Sequence, residues 1–247
     1  MKIFLLLNGD NHPAVATSYS YIGQIYFAQN DYSKTLDYFK KSLKLDLSFF
    51  GENHPSVASG YYNIGYVYFA QGDYSKALEY FEEVLKIRLS VYGENHSRVA
   101  SVYNDIGEIY SVQGDDFKAL DYFKKSLKIV LSVYGENHSQ VSSIYDHIGE
   151  VYFAQKDYSK ALYYFEESLK IRLSLFGENH PEVALSYYSI GSLYIIQGDK
   201  SKALNYYEKS LKIRLSVYGE NHPLTKEIMD LINVANSKVL QSPETTK

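Results

Sequence analysis

Residues Pro55 to His96 read PSVASGYYNIGYVYFAQGDYSKALEYFEEVLKIRLSVYGENH, and the chain rewrites this stretch along its whole length. Shifted by 42 residues it lands on itself: His12, His54, His96, His138, His180 and His222 each follow an Asn at that spacing. A fixed period of this size marks a solenoid, propeller or array of supersecondary units. Within the unit, Tyr61, Ile64, Gly65 and Tyr68 fall at i, i+3, i+4 and i+7, the stripe of an amphipathic helix (helix A) from about Pro55 to Gln71. Pro suits the first turn, and Asn53 or His54 precedes it to cap the helix, Asn being the better capper by type. Gly65 is costly inside a helix, and its return as Gly23, Gly107, Gly149 and Gly191 predicts a neighbouring helix too close for a Cβ. Gly72 and Asp73 then break the pattern, as a left-handed residue and an N-cap. Helix B runs from about Tyr74 to Tyr92 with Leu78, Phe81, Leu85 and Leu89 on one stripe, until Gly93 ends it. No strand-like alternation competes. The sequence therefore predicts an all-α fold, an α-solenoid of five complete helix pairs with a partial unit at each end.

The run Tyr61-x-x-Ile64-Gly65-x-x-Tyr68, followed by Ala77 and Phe81, resembles the tetratricopeptide repeat, with Tyr in place of the usual Trp. That repeat is about 34 residues long. The longer helix B and the GENHPxVA connection resemble the kinesin light chain and nephrocystin-like subclass. The resemblance implies a right-handed superhelix whose A helices line a concave groove. It divides the chain into a remnant of a preceding helix B at 1–10, repeats at 11–50, 51–92, 93–134, 135–176 and 177–218, a capping helix at 219–240 and a disordered tail at 241–247.

The repeats differ at informative places. Asn30 and Lys156 stand where Gly72 stands in the clean copy; a left-handed Lys costs about 1 kcal/mol. Asn233 replaces the helix-A Gly in the last helix, as expected where no further helix packs closely. The apolar run Ile3–Leu7 lies in the register of a helix B end and is shorter than a secretory signal core, so it reads as a truncated repeat. No run approaches transmembrane length.

Chemistry is sparse. Cys is absent, which excludes disulfides and thiol catalysis and fits a reducing, cytoplasmic compartment. A net charge of −4 argues against nucleic acid as a partner. Phosphate-binding loops and nucleophile motifs are missing, and the repeated His residues lie a full repeat apart, too far to share a metal; neither enzyme activity nor a cofactor nor a metal is expected. His147 breaks the period beside Asp146 and Glu150 and reads as a groove residue rather than a metal ligand or pH sensor.

Charge is laid out unevenly. Of 25 Lys and Arg, 19 lie in B helices, and the A-helix segments Thr17–Ala28, Ser59–Ala70, Ser101–Val112, Ser143–Ala154 and Leu185–Ile196 hold none. Carried residue by residue, the family's groove positions are Tyr62, Asn63, Tyr66 and Phe69 in the second repeat and Asn104, Asp105, Glu108 and Ser111 in the third. The fourth offers Asp146, His147, Glu150 and Phe153, and the fifth Tyr188, Ser189, Ser192 and Ile195. The lysines of the clamp that some family members use for a chaperone's C-terminal carboxylate are missing, and the heptad segment of a complete kinesin light chain is absent. The expectation is a non-enzymatic adaptor holding a peptide segment of a partner protein with basic and apolar residues, without nucleic acid or membrane. Reversing Asp105, Glu108, Asp146 and Glu150 to Lys is expected to abolish binding with helicity intact. The alternative is a structural array that self-associates through Phe4, Leu5 and Leu7 at its N-terminal end.

Overall fold

Beyond the first helix, every described helix start is written by one of two side chains. In a computed structural model describing residues 13–237, the described residues form eleven α-helices and no strand. They are α1 (Pro13–Ala28), α2 (Tyr32–Phe50), α3 (Pro55–Ala70), α4 (Tyr74–Tyr92), α5 (Ser97–Val112), α6 (Asp116–Tyr134), α7 (Ser139–Ala154), α8 (Tyr158–Phe176), α9 (Pro181–Ile196), α10 (Lys200–Tyr218) and α11 (Pro223–Ser237). The expected remnant at 1–10 and tail at 241–247 lie outside the described residues. The B helices start at Asp: Asp31, Asp73, Asp157 and Asp199 accept from the backbone N–H three residues on, as does Asp115. The lysine supplying that N–H folds back onto the same carboxylate and lies over a helix-A tyrosine, as Lys76 does over Tyr68 at 5.1 Å.

At the A helices the structure decides between the two candidate caps. His54, not Asn53, is the cap of α3, and its Nδ1 accepts from the Ser56 N–H at 3.1 Å. His96, His138, His180 and His222 bond the equivalent N–H. Each ring also stacks on the last aromatic of the preceding B helix, His54 on Phe50 at 4.2 Å and His138 on Tyr134 at 4.2 Å. An Asn could accept the hydrogen bond but has no ring to cover that helix end. The periodic histidines are thus structural connections.

The helix-A glycines are explained by the B helix of the same repeat. A Cβ on Gly107 would stand 2.7 Å from the ring of Phe123, and one on Gly191 2.7 Å from that of Tyr207.

The chain divides into two compact units, one through Val133 and one from Tyr134. In the first, Phe39, Ile64, Val67, Phe81, Val84, Ile106 and Ile109 form a continuous buried core between successive helices. In the second, Phe165, Val183, Ile190, Leu193 and Ile213 do the same. Such nearest-neighbour burial is what a repeat fold requires, since one helix pair cannot cover its own apolar face. Among the described residues no helix is long and apolar enough to cross a membrane.

Candidate functional site

In the first unit, Tyr62, Asn63 and Tyr66 on α3 face Gln24 and Phe27 on α1 across a cavity of about 130 Å³, with Phe39 and Val67 also lining it. Tyr66 is 47% exposed, so its ring is available to a ligand; it packs against Phe27 at 5.6 Å and Phe69 at 6.3 Å. Apolar walls with two amides at the rim suit an aromatic or aliphatic side chain whose backbone the amides hold. Gln24 and Phe27 are additions to the expected set. They lie 42 residues before Tyr66 and Phe69, so the register alone could have named them.

The acids of the A face are less exposed than their types imply. Asp105 on α5 receives the Tyr62 hydroxyl, while its Oδ2 is buried and accepts no hydrogen bond. Burial, reinforced by the neighbouring Glu108, pushes the Asp105 carboxyl up to about 7. Burial also raises Glu108, which accepts from the Asn104 amide at 2.6 Å. Glu150 is exposed.

In the second unit, Asp146 is not a free groove carboxylate. Arg172 from α8 pairs with it at 2.7 Å, pairs with Glu182 at 3.1 Å and donates to Ser186 Oγ at 2.8 Å. Burial raises Asp146 to about 6 despite the arginine. His147 is lowered to about 4, by burial first and then by Arg172, so its imidazole is neutral at pH 7 and senses nothing there. Tyr188 donates to Glu227 at 3.0 Å, Ser192 donates to the Tyr188 carbonyl at 2.9 Å, and Ser189 is half-buried. Phe153 packs on Tyr158, Ser111 is half-buried, and Ile195 is exposed. Among the described residues no group of three His, Asp or Glu is placed to hold a metal.

The arginines escaped the sequence reading, which counted the B-helix cations together. Arg172 and Arg214 are each 4% exposed. Arg214 donates to the Leu224 carbonyl at 2.6 Å and lies over the Tyr188 ring at 4.9 Å. Arg88 donates to the Arg98 carbonyl and Ser101, and lies over Tyr62 at 5.4 Å. Each thus ties its own A helix to the next one. The signal was present: these positions carry Arg in a chain that otherwise uses Lys almost throughout. A planar fork satisfies several acceptors at once where an ammonium does not.

The sequence profile of the tetratricopeptide repeat matches residues 34–90, 56–129, 98–174 and 140–216, and a second profile of that repeat matches 16–49. The chain belongs to the tetratricopeptide repeat family. No curated protein matches its sequence. Among solved structures, this tetratricopeptide repeat chain is similar to BtubC (BKLC) from P. vanneervenii, with TM-score 0.76 and 22% identity over 90% of this chain and 88% of that one. A putative kinesin light chain with nearly identical repeats from Podosopora anserina gives TM-score 0.71 and 16% identity over 83% and 97%. A Rap protein complexed with competence and sporulation factor gives 0.64 and 17% over 88% and 64%. At these identities the likeness establishes the shared repeat fold.

Proposed function

We propose that the chain is a non-enzymatic adaptor that holds a segment of a partner protein against the A-helix face of its repeats. The observation that carries this reading is the cavity between α1 and α3, where Tyr62, Tyr66 and Phe27 surround a space fitted to one apolar side chain and Gln24 and Asn63 stand beside it. The family's use as a protein-binding scaffold supports it, and so does a structural neighbour crystallised with competence and sporulation factor. The connection sequence and the putative kinesin light chain among the structural neighbours favour that subclass, and a cytoplasmic setting goes with it.

The preferred segment has an apolar residue for the cavity and, within the same unit, a basic residue for Glu108. Asp105 and Asp146 contribute little to recruitment, because one is buried and the other is held by Arg172. The electrostatic test therefore reverses Glu108 only; a Lys at 146 would face Arg172 and damage the fold. A peptide array on the purified chain, at low and moderate salt, supplies the motif. Tyr66→Ala is expected to weaken the selected peptide at least ~10-fold, the loss of a buried aromatic anchor. Equal affinity after Tyr66→Ala and after Glu108→Lys would sink the reading.

A further inference from the structure

Each repeat sets a helix-A tyrosine against a helix-B tyrosine. In the third and fifth repeats these are Tyr103–Tyr122 and Tyr187–Tyr206, with ring centroids 5.9 and 6.0 Å apart. Three residues after the second tyrosine comes a lysine that covers the pair. Lys125 lies 4.8 Å from Tyr122 and 6.0 Å from Tyr103, and Lys209 lies 5.2 Å from Tyr206 and 5.5 Å from Tyr187. Lys41 covers Tyr38 at 5.1 Å in the first repeat. The pair is thus a cation site that the chain fills with its own side chain.

In the fourth repeat the pair is kept, Tyr145 and Tyr164 at 5.7 Å, but the lysine is replaced by Glu167. Among the described residues no Lys or Arg lies over Tyr145, Tyr163 or Tyr164. A third ring is added: Tyr163 stands where the other repeats carry Asp37, Glu79, Asp121 or Asn205. It is 58% exposed and packs edge-on against Tyr164 at 5.2 Å. Tyr145, Tyr163, Glu136 and Glu167 line a cavity of about 380 Å³, within the ~300–1,000 Å³ typical of small-ligand sites. Lys170 also lines it, its exposed ammonium 3.8 Å from Glu167. The Tyr145 phenol is pushed up by burial and then by Tyr163, Glu167 and Glu136, as expected of a site with negative potential.

We propose that this cavity binds an alkylammonium group, the Tyr145 and Tyr163 rings supplying cation–π contact and Glu136 and Glu167 the counter-charge. It takes from a ligand the cation that Lys125 and Lys209 supply internally. The second repeat shares the acid, as Glu83, but has Glu79 in place of the third ring. This site is independent of the A-face cavity.

The test titrates the full chain with butylammonium chloride, with a blocked lysine tripeptide and with sodium chloride, following the tyrosine ring signals by NMR. Butylammonium is expected to bind with Kd on the order of millimolar, the range of an exposed cation–π site with a weak counter-charge. Glu167→Lys, which returns the internal lysine, is expected to abolish binding and to raise Tm. Tyr163→Ala removes an exposed ring without touching the core and is expected to weaken binding several-fold. Tighter binding of the tripeptide assigns the site to a partner's lysine; equal affinities assign it to a free amine. Shifts reproduced by sodium chloride, no binding at about 50 mM, or binding unchanged in both variants would overturn the proposal.

Discussion

Asp105 is a carboxyl that folding disfavours ionising. Its ordinary value is near 3.8 and burial raises it to about 7 in the folded chain. The folded state therefore binds the proton more tightly than the unfolded state, and the stability this confers at low pH is lost as pH rises from about 4 to about 7. Asp105→Asn keeps an acceptor for Tyr62 and removes the charge. It is expected to leave Tm unchanged near pH 4, to raise it progressively through that window, and to hold a constant advantage of several degrees above it. Melting curves at several pH values check this; an advantage that does not grow with pH refutes the buried-charge account. The capping histidines give a second residue-scale prediction. His96→Ala removes both the bond to the Arg98 N–H and the stack on Tyr92 at 4.6 Å. It is expected to cost about 1 kcal/mol in denaturant unfolding, and His96→Asn less, because Asn restores the cap but not the stack.

Between elements, the two kinds of turn differ in what they demand. At the A-to-B turn, Asn30 and Lys156 adopt φ 59° and 62°, the ordinary left-handed region that a side chain enters at modest cost. At the B-to-A turn, Gly177 has φ 74° and ψ 174°, a region that is essentially Gly-only. This accounts for a chain that varies the first Gly among its repeats and keeps the second in every one. Lys156→Gly is expected to raise Tm by a few degrees, and Gly177→Ala to lower stability by about 1–3 kcal/mol. Arg172 is the corresponding bridge between A helices. Arg172→Ala strands the largely buried Asp146 and is expected to cost about 3–5 kcal/mol, and combining it with Asp146→Asn to recover part of that loss. Additive effects of the two changes would mean that the pair contributes nothing beyond its members.

For the molecule as a repeat protein, stability is a sum over helix pairs and the faces between them. The last helix closes that sum: Thr225 and Ile228 on α11 are fully buried and Ala235 nearly so, and α11 gives Arg214 its carbonyl and carboxylate partners. Truncation before Pro223 is expected to lower both Tm and the helical signal by more than the missing residues account for, because α10 loses its cover. A helical signal reduced only in proportion would show that α11 stabilises nothing beyond itself. By the same logic, ligand at the α1–α3 cavity raises the melting temperature of a chain that contains both helices.

Periodicity was enough to fix the helix pairs, the left-handed turns at Asn30 and Lys156, the Asp caps of the B helices and the close approach at the helix-A glycines. These are local rules, or rules repeated so often that neighbour packing becomes local in effect. Tyr62, Asn63 and Tyr66 were named through the family resemblance rather than the period, and they line one cavity. What a side chain meets from another helix was not legible. Asp146 reads as a groove acid until Arg172 reaches it from α8, and Asp105 reads as charged until packing buries its carboxyl. His54 reads as a poorer cap than Asn53 until the Phe50 ring is found beneath it. Charge and exposure depend on the dielectric and the partners that packing delivers, and sequence spacing within one helix carries no record of either.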